Sequence, residues 1–129
     1  MTTSVRHPAV DTQTTLALGH PLFEDASVAR IAKAHGAAAA WEAAMHGDPA
    51  RVLNSVAGDF AVGLMDRQGR TVLAVDRFAV RSLCYRFIDG RLHFAERADT
   101  LAALAPRAEI DLQAVYDYLY FHVIPSPRT

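Results

Sequence analysis

The run Gly58-Asp-Phe-Ala-Val-Gly-Leu-Met-Asp66 marks where the period of this chain changes from helical to twofold. Phe60, Val62 and Leu64 fall on one face of a strand, and Ala61, Gly63 and Met65 fall on the other. The small residues on that second face would let another layer pack closely against it. Asp66-Arg67-Gln68-Gly69 reads as a turn and Thr71 to Val75 as the returning strand. Further on, Leu83, Tyr85 and Phe87 alternate, Asp89-Gly90 is a hairpin turn, and Leu92 and Phe94 belong to the partner strand.

Working outward, the flanks are helical. Upstream, Thr14 to Leu18 alternates weakly, as a strand before the turn Gly19-His20-Pro21. Asp25 is placed to cap a helix carrying Val28, Ile31 and Ala32, which His35-Gly36 ends. Ala37 to Met45 forms a second helix around Trp41, stopped by Gly47. Asp48-Pro49 restarts a short helix with Val52, Leu53 and Val56 as its apolar residues. Downstream, Ala98 to Ala105 reads as a short helix ended near Pro106. Asp111 caps a last helix whose Leu112, Val115, Tyr116 and Leu119 are expected to form its buried stripe. Pro125 and Pro127 end it and favour an extended exit. Helices, then two hairpins, then helices argue an α+β domain with antiparallel strands.

The 129 residues fit a single domain, 1–129, large enough for its own core, with residues 1–13 expected to be disordered. A net charge of -1, with Lys33 the only lysine, offers no broad attraction for nucleic acid or an anionic membrane. No run is long enough to span a bilayer. The single cysteine, Cys84, excludes an intrachain disulfide, and with no signal-peptide pattern at the N-terminus the expected location is the cytoplasm.

Three segments taken in order, Gly58 to Asp66, Asp76-Arg-Phe-Ala-Val-Arg-Ser-Leu-Cys-Tyr85 and Asp117-Tyr-Leu-Tyr-Phe-His-Val-Ile-Pro-Ser-Pro-Arg-Thr129, resemble the glutamine-amidotransferase half of the asparagine-synthetase family. The likeness covers Gly58 to Thr129, and Leu16 to Ala57 more loosely. It implies an N-terminal-nucleophile-hydrolase-like sandwich of antiparallel strands covered by helices, here trimmed at the N-terminus. Residues 117–129 resemble the family's junction to an ATP-using synthetase domain. The second segment usually reads Asp-Arg-Phe-Gly-Val-Arg-Pro-Leu-Tyr-Tyr in the family. Here Ala79 replaces the glycine, Ser82 the proline and Cys84 the first tyrosine.

The departures bear on the chemistry. Members that hydrolyse glutamine begin with Cys-Gly after removal of Met, and the free α-amine serves as base for the thiolate. Here the second residue is Thr2. No counterpart of the Arg-Gly-Pro-Asp-like or Asn-Gly-Glu-like glutamine-holding loops is found, nor of the Ser-Gly-Gly-x-Asp-Ser pyrophosphate loop. The resemblance therefore transfers no catalytic residue, and a cofactor is expected only in a synthetase partner, as ATP and Mg.

The remaining candidates each carry a plainer reading. Thr2 could act as an N-terminal nucleophile with its own amine as base, but the polar segment behind it does not read as a buried strand. Cys84, between Leu83 and Tyr85, reads as a buried structural thiol. His7, His20, His35, His46, His93 and His122 show no metal-ligand spacing, and His35 and His46 suit helix C-termini. Asp76, Arg77 and Arg81 are expected to form a structural hydrogen-bonded corner at the family motif. Tyr116, Tyr118, Tyr120 and Phe121 make one short helix aromatic on more than one side, as at a partner contact.

The sequence thus points to a catalytically silent amidotransferase-like domain, a pseudoenzyme related to asparagine biosynthesis that works with an ATP-dependent amide-forming partner. An active amide hydrolase using Thr2 and an interaction module without amide chemistry stand as alternatives. A homo-oligomer or a complex with a synthetase-domain protein is expected, because lost N-terminal strands would leave a sheet edge open.

Overall fold

The computed structural model describes residues 15–65, 70–104 and 109–125. In chain order the elements are β1 (Thr15–Gly19), β2 (Leu22–Phe23), α1 (Ala26–Ala44), α2 (Pro49–Asn54), β3 (Val56–Ala57), β4 (Phe60–Met65) and β5 (Thr71–Val75), then β6 (Cys84–Ile88), β7 (Arg91–Ala95), α3 (Ala98–Ala102) and α4 (Leu112–Phe121). All the strand pairs are antiparallel, and the architecture is α+β.

The local signals act where the sequence places them. Asp25 accepts from the backbone N–H groups of Ser27 and Val28, Asp48 from that of Ala50, and Asp111 from that of Gln113. Each satisfies donors that a helix start leaves unpaired. Gly36, at φ 87°, breaks α1 into the two expected helical stretches. Asp89 and Gly90 both have positive φ, which is what a tight two-residue hairpin turn requires. α3 ends at Ala102, and the expected continuation to Ala105 and Pro106 lies partly outside the described residues. Residues 1–13, with Thr2 and His7, lie outside them too.

β4 is the middle strand of a three-stranded sheet ordered β1-β4-β5, with Ala17 opposite Val62 and Val62 opposite Ala74. Its residues Phe60 to Leu64 are all buried because both faces are covered. On one face Phe60, Val62 and Leu64 form the core with the fully buried Trp41 of α1. Trp41 meets Phe60 at 5.1 Å and Phe23 at 4.9 Å between ring centroids, in the tilted and edge-on geometries aromatic pairs favour. Thr15 Oγ1 donates to Glu42 Oε1 at 2.7 Å, tying β1 to α1.

The other face of β4 meets the β6–β7 hairpin. The Phe94 ring lies directly against Gly63, where any Cβ would fall inside the ring's van der Waals envelope. The small residues on that face thus admit a second layer. Leu92 and Phe94 stand opposite Phe87 and Tyr85, and α3 packs on the hairpin through the buried Leu101.

Two expectations are overturned. Val56, expected as an apolar residue of the helix begun at Asp48-Pro49, lies beyond its end in β3, paired with Phe23. The stripe Leu112, Val115, Tyr116 and Leu119 exists at helical spacing, but all four residues are exposed, Leu112 at 79% and Leu119 at 70%. The one buried residue of α4 is Asp117, which accepts from Gln113 Nε2 at 2.7 Å. Asp117 is therefore the buried position of α4, whereas Gln113 and the apolar stripe are exposed. No helix among the described residues is long and apolar enough to cross a membrane.

Candidate functional site

The most organised polar region lies where the chain leaves β5 and runs over the start of β4. Asp76, only 6% exposed, gathers four backbone N–H donors. Its Oδ2 accepts from Phe60 at 3.2 Å, Val80 at 3.1 Å and Arg81 at 3.4 Å, while Oδ1 accepts from Phe78 at 2.9 Å. Asp76 N also donates to Phe60 O at 2.9 Å, extending the β4–β5 ladder by one rung. Burial pushes the Asp76 carboxyl up, but the backbone donors outweigh it and hold the group below its ordinary value.

With its polar groups satisfied inward, the loop points its side chains out. Phe78 is 84% exposed, and Val80 and Arg77 are exposed as well. Ala79 sits at φ 48°, in the left-handed region that disfavours a Cβ. Ala79 N donates to Asp76 O at 2.9 Å, so the strained residue closes the turn.

Beside this loop a second carboxylate joins distant segments. Asp59 Oδ2 accepts from Arg81 Nε at 3.0 Å, and its Oδ1 lies 3.2 Å from His20 Nδ1. The Arg81 hydrogen bond is the main cause holding Asp59 below its usual value; burial opposes it and His20 assists. His20 N donates to Asp59 O at 2.7 Å, and the flanking glycines make that approach possible. Gly19 and Gly58 both have φ above 80° or at it, and a Cβ on either would run into the other segment's backbone.

The three residues expected at the motif thus separate in role. Asp76 organises the loop, Arg81 bridges to Asp59, and Arg77 extends into solvent. Sequence reading missed the Asp59–His20 pairing, since the partners are far apart along the chain. Its visible trace was a glycine before each of them, Gly19-His20 and Gly58-Asp59. The fixed groups here can hold a surface in shape and present charge. No nucleophile with an activating base stands among them.

The remaining candidates are scattered. Cys84 is part-buried in β6 opposite Ala95, and His93 lies opposite Arg86. His35 precedes the α1 kink, His46 follows that helix, and His122 is the left-handed C-cap of α4 at φ 58°. Among the described residues, no three His, Cys, Asp or Glu side chains stand close enough to hold a metal ion. A half-open cavity of about 370 Å³ lies between α1, α2 and β2–β3, walled by Phe23, Val28, Val52 and Val56, with Glu24 and Arg51 at its polar part. On α4, Tyr116 stacks on Tyr120 at 5.9 Å and Tyr120 meets Phe121 edge-on at 4.8 Å, all three well exposed, as is Tyr118.

A family model described as glutamine amidotransferase domain matches residues 41–129, which include Trp41, β4, the Asp76 loop and α4. No curated protein and no solved structure gives a significant match.

Proposed function

The chain belongs to the glutamine amidotransferase domain family, and from that premise we propose that it is a catalytically silent member related to asparagine synthetase. In this reading it is a structural or docking subunit of an ATP-dependent amide-forming partner. The supporting observation is the position of its one cysteine. An N-terminal nucleophile needs a free α-amine as its base, and Cys84 sits inside β6 with its nitrogen in a peptide bond. The motif corner keeps its shape through Asp76 while offering no nucleophile and base pair. What remains is a fold with an organised loop that presents Phe78 and Val80 to water.

In this role ATP and Mg belong to the partner, and the domain contributes surface. The segment from Asp117 onward, similar to the family's junction with a synthetase domain, is the natural approach for such a partner. The test is ammonia release from glutamine by the purified chain, measured beside Thr2→Val. Both proteins are expected to release none above the uncatalysed rate. Release by the wild type that disappears in Thr2→Val would replace this reading with an active N-terminal threonine hydrolase.

A further inference from the structure

We propose that the half-open cavity between α1, α2 and the β2–β3 ladder binds a free α-amino acid with an apolar side chain, of the size of phenylalanine. Its wall is apolar and formed before any ligand arrives. Phe23 and Val56 are paired across the β2–β3 ladder, Val52 comes from α2 and the buried Val28 from α1. Phe23, Val52 and Val56 pack against the core cluster that contains Trp41, and Phe23 meets the Trp41 ring at 4.9 Å. The cavity has a volume of about 370 Å³. At about 30 Å³ for each water in the liquid, that is room for roughly a dozen non-hydrogen atoms. A concave apolar wall with a few polar groups beside it is the usual form of a small-molecule site. The cavity shares no residue with the Asp76 and Asp59 corner, so the site stands whether or not the domain retains amide chemistry.

The charges at this cavity choose the occupant. Glu24, Asp25 and Arg51 all line it. Asp25 is engaged, its Oδ1 accepting from the backbone N–H groups of Ser27 and Val28 at the start of α1. Glu24 and Arg51 are exposed, and among the described residues neither has a hydrogen-bond or ion-pair partner. Two opposite charges therefore line one small cavity without neutralising each other. A plain anion would pair with Arg51 but meet the Glu24 and Asp25 carboxylates as like charges. A plain cation would pair with Glu24 and meet Arg51. A zwitterion satisfies both, its carboxylate accepting from the guanidinium and its ammonium donating to Glu24. Its apolar body then covers Phe23, Val28, Val52 and Val56, and the water on them is released. Glutamine fits less well, because its side-chain amide would be stripped of water against that wall.

The test is a heteronuclear NMR titration of the full chain with L-phenylalanine, and separately with phenethylamine, N-acetyl-L-phenylalaninamide and L-glutamine. Phenylalanine is expected to saturate with a Kd of about 1 mM or below, as a ligand of this size can reach. The largest amide shifts should fall between Phe23 and Val28 and between Arg51 and Val56. Arg51→Gln and Glu24→Gln should each weaken binding about 10-fold or more, the effect of losing one charged hydrogen bond, with an unchanged far-UV circular dichroism spectrum. Phenethylamine, which lacks the carboxylate, should be weakened by Glu24→Gln and not by Arg51→Gln, a selectivity that general damage to the fold would not produce. The blocked amide and glutamine should each bind at least about 10-fold less tightly than phenylalanine. No saturation by about 10 mM, a limit well above the expected Kd, overturns the proposal. So do amide shifts centred on other elements, binding that both variants leave intact, or glutamine or the blocked amide binding as tightly as phenylalanine.

Discussion

β4 and α4 are both rich in apolar residues, yet one is enclosed on both faces and the other is turned outward. In β4 the large residues Phe60, Val62 and Leu64 meet Trp41, and the small ones admit Phe94. In α4 a stripe of equal regularity faces water, and the buried position belongs to Asp117. The contrast teaches that periodicity shows which residues share a face, whereas what covers that face depends on the rest of the assembly. Counting burial from pattern alone presumes that a single chain supplies both sides.

Predictions can press on each side of this contrast. The largest effect is expected at the closed one. Gly63→Val would force atoms into the Phe94 ring, and overpacking of this kind costs about 1–3 kcal/mol. Urea unfolding should show that loss, and a midpoint within error of the wild type would mean that the hairpin does not seat on β4. A smaller effect of opposite sign is expected at the loop beyond β5. Ala79 holds a left-handed conformation where the resembling motif has glycine, so Ala79→Gly relieves a strain of about 1 kcal/mol. The same unfolding experiment should show a gain, and a loss would show that Ala79 is not in the left-handed region. Smallest of all is the effect of Val115→Glu/Leu119→Glu on stability, within the few tenths of a kcal/mol usual for exposed positions, and a loss of several kcal/mol in the same urea experiment would show that the stripe is covered.

What could be read from sequence follows the range of the interactions. The caps at Asp25, Asp48 and Asp111, the break at Gly36 and the Asp89-Gly90 turn each depend on a few neighbouring residues, and each appears where expected. The alternation of β4 was legible too, including the role of its small face. Long-range pairings were not. Asp59 meets His20 and Arg81 across wide separations, and only the two glycines hinted at the crossing. The β2–β3 ladder, two residues on each strand, is too short to leave a period. For α4 the stripe was visible but its direction was not. The buried position falls to Asp117, and no local rule dictates that choice.

Amide hydrogen exchange followed by mass spectrometry tests the central contrast most directly. The account predicts that β4 amides exchange slowly, as expected for a strand opened only by global unfolding. It predicts that α4 amides exchange much faster in the isolated chain. Equal protection of α4 and β4 would contradict it, because the stripe would then be covered by its own chain.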